Sequence, residues 1–306
     1  MPSTLARRPD AAAAAVRAQG LALALAGSVA FSGKAIIVKL AYRHGVDALT
    51  LVMYRMVFAL PFFLGLMWWA GRGQPRMATR DRLAVWALGF SGYYLASSLD
   101  FLGLQYISAS LERLILYLNP TLVLLLGWWL FGRRATRGQL LALAISYCGV
   151  LLVFGRELHV DGQHAALGAA LVFASTLSYA AYMLYSGEVL CRIGSLRLTG
   201  AASSVACVLC IAQFLVLRPL SAAAVATPVL WLSVLNAVAC TVAPVLMVMM
   251  AIERVGPAIT AQAGMIGPIS TIAMSIWLLD EPFTPWLAAG TLCVMVGVAM
   301  MARTRH

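Results

Sequence analysis

A chain of 306 residues that is 62% hydrophobic and only 11% charged cannot wet the surface of a soluble domain, so a water-soluble globular fold is excluded at the outset. Its formal charge of +11 could suggest a nucleic-acid partner, but the arginines have no separate domain to sit on. Basic loops beside apolar segments are the ordinary outcome of membrane insertion, which makes the lipid bilayer the expected partner and excludes nucleic acid.

A helix rises ~1.5 Å per residue, so ~20 apolar residues cross the ~30 Å hydrocarbon core. On that measure the sequence predicts ten spans, at 20–42, 47–70, 83–104, 109–131, 138–155, 165–187, 198–217, 229–251, 256–279 and 285–302. Residues 1–19 and 303–306 are left as tails and 156–164 as a linker. Near the start, Arg17, the apolar run 21–26 and Ser28-Val29-Ala30 imitate a cleavable signal peptide. The run continues through Ile36 to Leu40, however, and the segment recurs later, so it is expected to be the first span. Segments on one side of this arrangement carry Arg7, Arg8, Arg17, Arg72, Arg76, Arg80, Arg82, Arg133, Arg134, Arg137, Arg192, Arg197, Arg254, Arg303 and Arg305; those on the other carry Arg43, Arg156 and Arg218. The positive-inside rule then places both termini in the cytoplasm of a bacterial-type inner membrane.

Sliding the chain by 148 positions sets Gly20 over Gly168, Pro120 over Pro268, Trp129-Leu130 over Trp277-Leu278 and Gly149-Val150 over Gly297-Val298. The repeats, 20–155 and 165–302, each hold five spans. Five is odd, so the second copy is upside down relative to the first, the plan of secondary transporters with a substrate site near the midplane. The predicted fold is therefore all-α: ten transmembrane helices in two inverted five-helix repeats.

Ionisable residues inside spans are costly and must be paired, hydrated or useful. Here they are Lys34, Arg55, Asp100, Glu112 and Arg113, all in the first repeat. Neighbours on a helix diverge by about 100°, so Glu112 and Arg113 cannot satisfy each other. The expected pairs are Asp100 with Arg113 or Arg55 and Glu112 with Lys34 or Arg55, leaving one cation for a substrate carboxylate. The bland alternative is an ion network that only locks helices together, with Lys34, Glu112 and Arg113 snorkelling to headgroups. Asp100 and Glu112 are also the carboxylates available for proton coupling. Replacing Lys34 or Arg55 with alanine is expected to abolish flux without unfolding the protein.

In the second repeat Ser175, Ser178, Tyr179, Tyr182, Tyr185 and Ser186 recur at helical spacing and form one hydroxyl stripe. Asn236, Thr241 and Gln262 extend that wall, and Tyr93, Tyr94, Tyr117 and Asn119 supply the facing one. Interhelical hydrogen bonding is the competing reading for each of these residues. Pro120 and Pro268, the latter after Gly264 and Gly267, each free one carbonyl in mid-span and mark hinges at matched positions.

Sharper chemistries fall away. Gly27 to Lys34 does not have phosphate-loop spacing. Cys207 and Cys210 have redox spacing, but all six cysteines share an apolar or inside-facing placement that suits small-residue packing, and the histidines have no metal or triad spacing, so no metal, cofactor or enzymatic activity is expected.

Ile107-Ser108-Ala109-Ser110, Leu118-Asn119-Pro120-Thr121 and Gly149-Val150-Leu151-Leu152, with Gly267-Pro268, Asp280-Glu281-Pro282 and Gly297-Val298 in the second half, resemble the two EamA repeats of the drug/metabolite transporter superfamily. The resemblance covers about 20 to 302 and implies ten helices in two inverted halves that carry amino acids and other small metabolites. One departure stands out: Glu281 keeps the acidic residue usual after the fourth span, whereas its first-half equivalent is Arg133. The resulting expectation is a secondary or facilitative transporter exporting an amino acid or related amphipathic compound. The alternatives are a nucleotide-sugar or sugar-phosphate antiporter, which would need a denser cluster of cations, and a membrane-embedded enzyme or scaffold. The sequence does not fix the oligomeric state.

Overall fold

Backbone polar groups in lipid must bond to one another, and a chain this apolar can do so only as helices. The computed structural model describes residues 8–131, 136–161, 163–264 and 266–303. Within it α1 is Arg8–Tyr42 and α2 is Ala48–Gly71. Helix α3, 79–104, joins Thr79–Leu88 and Ala96–Leu104 through a π-helical segment at Gly89–Leu95. Helix α4, 109–131, is broken into Ala109–Leu116 and Asn119–Phe131. Then come α5 (Arg137–Asp161), α6 (Gln163–Ile193) and α7 (Ser195–Leu217). Helix α8, 227–263, passes through a π segment at Val238–Val242, and α9 (Ile266–Leu279) and α10 (Pro285–Arg303) close the chain. No strand occurs among the described residues. Among the described residues seven spans are individually long and apolar enough to cross a membrane, and α9 and α10 are shorter apolar helices.

Several helix ends lie beyond the predicted spans. Helix α1 is already helical from Arg8, the first described residue, because alanine, which fills 11–15, has the highest helix propensity of any residue type, whereas hydropathy reports only where lipid begins. Likewise α5 continues to Asp161, leaving residue 162 of the expected linker outside the described residues. The eighth and ninth spans are not separated by a loop at 252–255: α8 stays helical to Ala263. Ala251 and Ala263 nevertheless pack in one small cluster with Ala24. A straight helix would hold two residues twelve apart at ~18 Å. The chain therefore bends between them, and Gly256-Pro257 lies in that stretch.

The repeat is written into the packing. A methyl group built on Gly20 would meet Val255 Cγ1 at 2.6 Å and Arg254 Cβ at 2.8 Å. On Gly168 it would meet Tyr106 Cβ at 2.7 Å and Ile107 Cγ2 at 2.8 Å. Shifting 20, 254 and 255 by 148 in the appropriate direction gives 168, 106 and 107. Helices α5 and α10 repeat the exchange, Gly149 lying on the Gly290 carbonyl and Gly297 on that of Ala142, each 2.6 Å from the built methyl. As residue numbers rise along α5 they fall along α10, so these equivalent helices are antiparallel. The axis relating the halves is then perpendicular to the helices, which is the inverted arrangement. Helix α2 packs on α7, α1 on α8 and α9, and α3 and α4 on α6. The two π segments also correspond, at 89–95 and 238–242, as do the breaks near 117 and 264.

Candidate functional site

Both broken helices turn their breaks toward the centre. Pro120 cannot donate to the Leu116 carbonyl, nor Pro268 to that of Gly264, and each chain interruption lies within one turn of its proline. The Gly264 carbonyl accepts the Gly267 amide at 3.0 Å and the Tyr117 hydroxyl, so one break is bonded to the other across the two halves. Beside them is a cavity of about 320 Å³ walled by α1, α2, α3, α4, α6, α7 and α8. Lys34, Arg55, Tyr93, Asp100, Arg113, Tyr117, Asn119 and Tyr179 all line it.

The five intramembrane charges converge and are buried, between 0% and 7% exposed, which excludes snorkelling. Glu112 pairs with Lys34, one of its two expected partners, whereas Asp100 pairs with Lys34 rather than with an arginine. Lys34 Nζ takes both carboxylates, lying 2.5 Å from Asp100 Oδ2 and 3.0 Å from Glu112 Oε1. The first contact is a hydrogen bond, while the second is an ion pair off the hydrogen-bonding direction. Neither arginine has a carboxylate within 4.0 Å among the described residues. Arg55 instead donates from Nε to Thr241 Oγ1 at 3.0 Å, with its guanidinium 5.2 Å from the Phe101 ring centroid. Arg113 donates from Nη2 to Ser32 Oγ at 3.0 Å and lies between Phe31 and Tyr117, at 5.6 and 5.3 Å from their centroids. Three cations against two carboxylates leave the cluster with one net positive charge. The Arg113 Nε, Asp100 Oδ1 and Asn119 Oδ1 atoms are buried without a hydrogen-bond partner, and all three residues face the cavity. Lys34 is thus the counterion of two buried acids, so removing it is expected to threaten the fold, contrary to the expectation from sequence.

The hydroxyl stripe on α6 divides. Tyr179 and Ser175 reach the cavity wall. Ser178 donates to the Ser91 carbonyl in the π segment of α3, and Ser175 also bonds back to that helix, at Ala96. Tyr182 is buried behind the wall, edge-on to Tyr93 and stacked on Tyr179. Tyr94 does not line the cavity and packs against Phe90, because adjacent residues on a helix point about 100° apart and Tyr93 takes the inward direction. Asn236 is fully buried behind Thr241, whose hydroxyl donates to the Asn236 carbonyl at 2.9 Å. The side chain of Gln262 lies outside the described residues. Gly267 and Pro268 are buried beside Ser32 and Arg113, and a methyl on Gly267 would come within 2.6 Å of Arg113 Nη2. Phe31, Phe63, Ser97, Thr176 and Ser203 line the cavity without having been singled out from sequence. Ser97 and Ser203 each belong to a Ser-Ser pair inside an apolar span, a signal that could have found them.

At one end of the bundle Glu281 reaches from the α9–α10 connection to the start of α4, on the wall of a cavity of about 810 Å³. Its carboxylate accepts from the Ala109 amide at 2.8 Å, the Ser110 amide at 3.3 Å and the Ser110 hydroxyl at 2.7 Å. Glu157 takes the Ser108 amide and hydroxyl alongside. Two carboxylates on the positive end of one helix satisfy amides that would otherwise be unpaired. Arg43 donates to the Leu279 carbonyl at 2.7 Å on the same side.

The model of the EamA-like transporter family matches residues 18–155 and 166–303, one copy in each half. A Bacillus subtilis protein described as an uncharacterized transporter, YcbK, is 31% identical over 281 residues, covering 86% of each chain. A second from the same organism, YetK, is 22% identical over 91% of this chain and 86% of its own. A WAT1-related protein of Arabidopsis thaliana is 24% identical over 58% of this chain and 59% of its own. A solved crystal structure superposes with a TM-score of 0.64 over 94% of this chain and 99% of that one, at 15% identity, a likeness of fold.

Proposed function

The chain belongs to the EamA-like transporter family, and on that premise we propose that it carries a small amphipathic zwitterion, an amino acid or close relative, out of the cell by alternating access to the central cavity. The observation that carries this reading is the set of unmatched polar atoms. Arg113, with a free Nε–H and no carboxylate partner among the described residues, suits a carboxylate. Asp100 Oδ1 and Asn119 Oδ1, acceptors without donors, suit an ammonium. Buried polar groups in this state favour a ligand that completes them and reject one that lacks either group. Phe31, Met56 and Phe63 leave room on the apolar walls for a side chain.

The arginine distribution supports a cytoplasmic position for both termini and an outer position for Glu281, which favours export. On this reading the cavity loads from the cytoplasm, and release requires the Glu281 contacts to part while one half rocks against the other. The test is counterflow in vesicles containing the purified protein, offered each amino acid together with its decarboxylated amine and its deaminated acid. Exchange should require both charged groups, and Arg113→Gln should raise KM sharply with membrane abundance unchanged. Equal exchange of the amines or the acids overturns the assignment. A parallel growth screen of overexpressing cells on toxic amino-acid analogues narrows the side chain.

A further inference from the structure

The apolar end of the cavity adjoins a second space that the head-group chemistry does not use. A slot of about 230 Å³ lies between α2 and α8, lined by Phe62, Phe63, Gly65, Leu66, Trp69, Val242, Val245 and Leu246, with no charged residue. Phe63 and Val245 line the slot and the central cavity alike. Phe63 is buried at 4% exposure, whereas its neighbour Phe62 is 47% exposed and Trp69 61%. The slot therefore faces lipid, and the Phe63 ring stands where it meets the cavity. A methyl built on Gly65 meets nothing within 4 Å, so that wall is open.

Both walls are helices whose regular bonding is interrupted at this level. Pro61 removes the bond that would return to Val57 immediately before Phe62-Phe63. On the facing side the π segment Val238–Val242 ends within the slot, and Thr241 in it holds Arg55 in the cavity. A helix relieved of one backbone bond can shift a side chain without unfolding, and here the interruptions face each other across one aromatic ring.

We infer that Phe63 is the residue that sets the length of the solute's tail: short apolar side chains end against its ring, and longer ones turn it aside and extend into the slot between α2 and α8. The substrate class is then a zwitterionic head carrying an apolar tail longer than the central cavity holds. At about 320 Å³ that cavity is at the small end of ligand sites, and the slot supplies the remaining room. The occupant of the slot is the solute's tail rather than a resident lipid chain, because the slot shares Phe63 and Val245 with the site that holds the head. This inference rests on the head-group assignment proposed above.

The experiment uses two α-amino acids with unbranched side chains, one short and one long, each ending in a photoreactive diazirine, on the full chain in vesicles. Labelled positions are read by mass spectrometry. The short probe should mark Met56 and Phe63, and the long probe Phe62, Leu66 and Leu246. In competition against the short probe, affinity should rise about fourfold per added methylene. Phe63→Trp should return the long probe's label to the cavity, and Gly65→Leu should weaken long tails while leaving short ones unchanged. The inference is overturned if both probes mark the same cavity residues, if neither marks the protein, or if a diazirine-bearing phospholipid marks the slot and the long probe does not displace it. The head-group assignment fails separately: tail-dependent labelling would then persist unchanged in Arg113→Gln.

Discussion

Replacing Lys34 with methionine keeps the length of the side chain and deletes its charge. Asp100 and Glu112, 3% and 0% exposed, would then have no cation within 4.0 Å among the described residues. Removing one partner from a buried ion pair costs about 3–5 kcal/mol, and here a single substitution orphans two carboxylates. Whole domains are stable by only about 5–15 kcal/mol, so the loss should be visible as low membrane abundance and a melting midpoint lowered by several degrees. The assay is a fluorescent fusion, followed by abundance in membranes and by heat-induced loss of the monodisperse peak in detergent. Adding Glu112→Gln to Lys34→Met should restore part of the midpoint, and adding Asp100→Asn more, while transport stays absent in all three. A Lys34→Met protein that melts like the parent, or neutralised acids that give no recovery, would refute the view that Lys34 neutralises both acids.

Gly267→Ala places a methyl 2.5 Å from Tyr117 Oη and 2.6 Å from Arg113 Nη2, and should displace the guanidinium. Losing one hydrogen bond to a charged group corresponds to about tenfold or more in flux, measured by counterflow at unchanged abundance. Gly297→Val drives a branched side chain into the Ala142 carbonyl of α5, and Gly149→Val does the same to Gly290 of α10. Both should lower thermal stability to a similar degree, and a large difference between them would count against the symmetry. Partial burial pushes the Asp47 carboxyl up, but hydrogen bonds from Thr50 and Leu49 and the Arg218 charge outweigh it and hold it below its ordinary value. A carboxyl so depressed stabilises the fold above its unfolded value and loses that contribution as pH falls through the folded one. Melting midpoints across acid pH should therefore decline less steeply in Asp47→Asn than in the parent.

The ten helices and their duplication were legible because hydropathy and the 148-residue offset are properties of single positions. Helix ends were less so: Arg8 to Gln19 is helical by propensity, a quantity that hydropathy does not carry. At the site, the sequence picked out Lys34, Arg55, Asp100 and Arg113 because charge in a lipid-spanning segment is expensive whatever its neighbours. It could not show that one lysine would serve two acids, since that depends on the relative rotation of α1, α3 and α4. The same limit misplaced Tyr94, Ser178 and Asn236. Their residue types suit a wet wall, yet Tyr94 and Ser178 turn to helix neighbours and Asn236 is buried behind Thr241, and α3 and α8 change phase at π segments that no periodicity count registers.

Glu281 has no counterpart of like sign, since Arg133 stands at the equivalent position in the first half. A carboxylate clasps the amino end of a helix, and a guanidinium at such a place would be repelled by it. The acidic residue of this connection is therefore not repeated between the halves. A twofold plan of packing thus carries charge of opposite sign at equivalent positions of its two repeats.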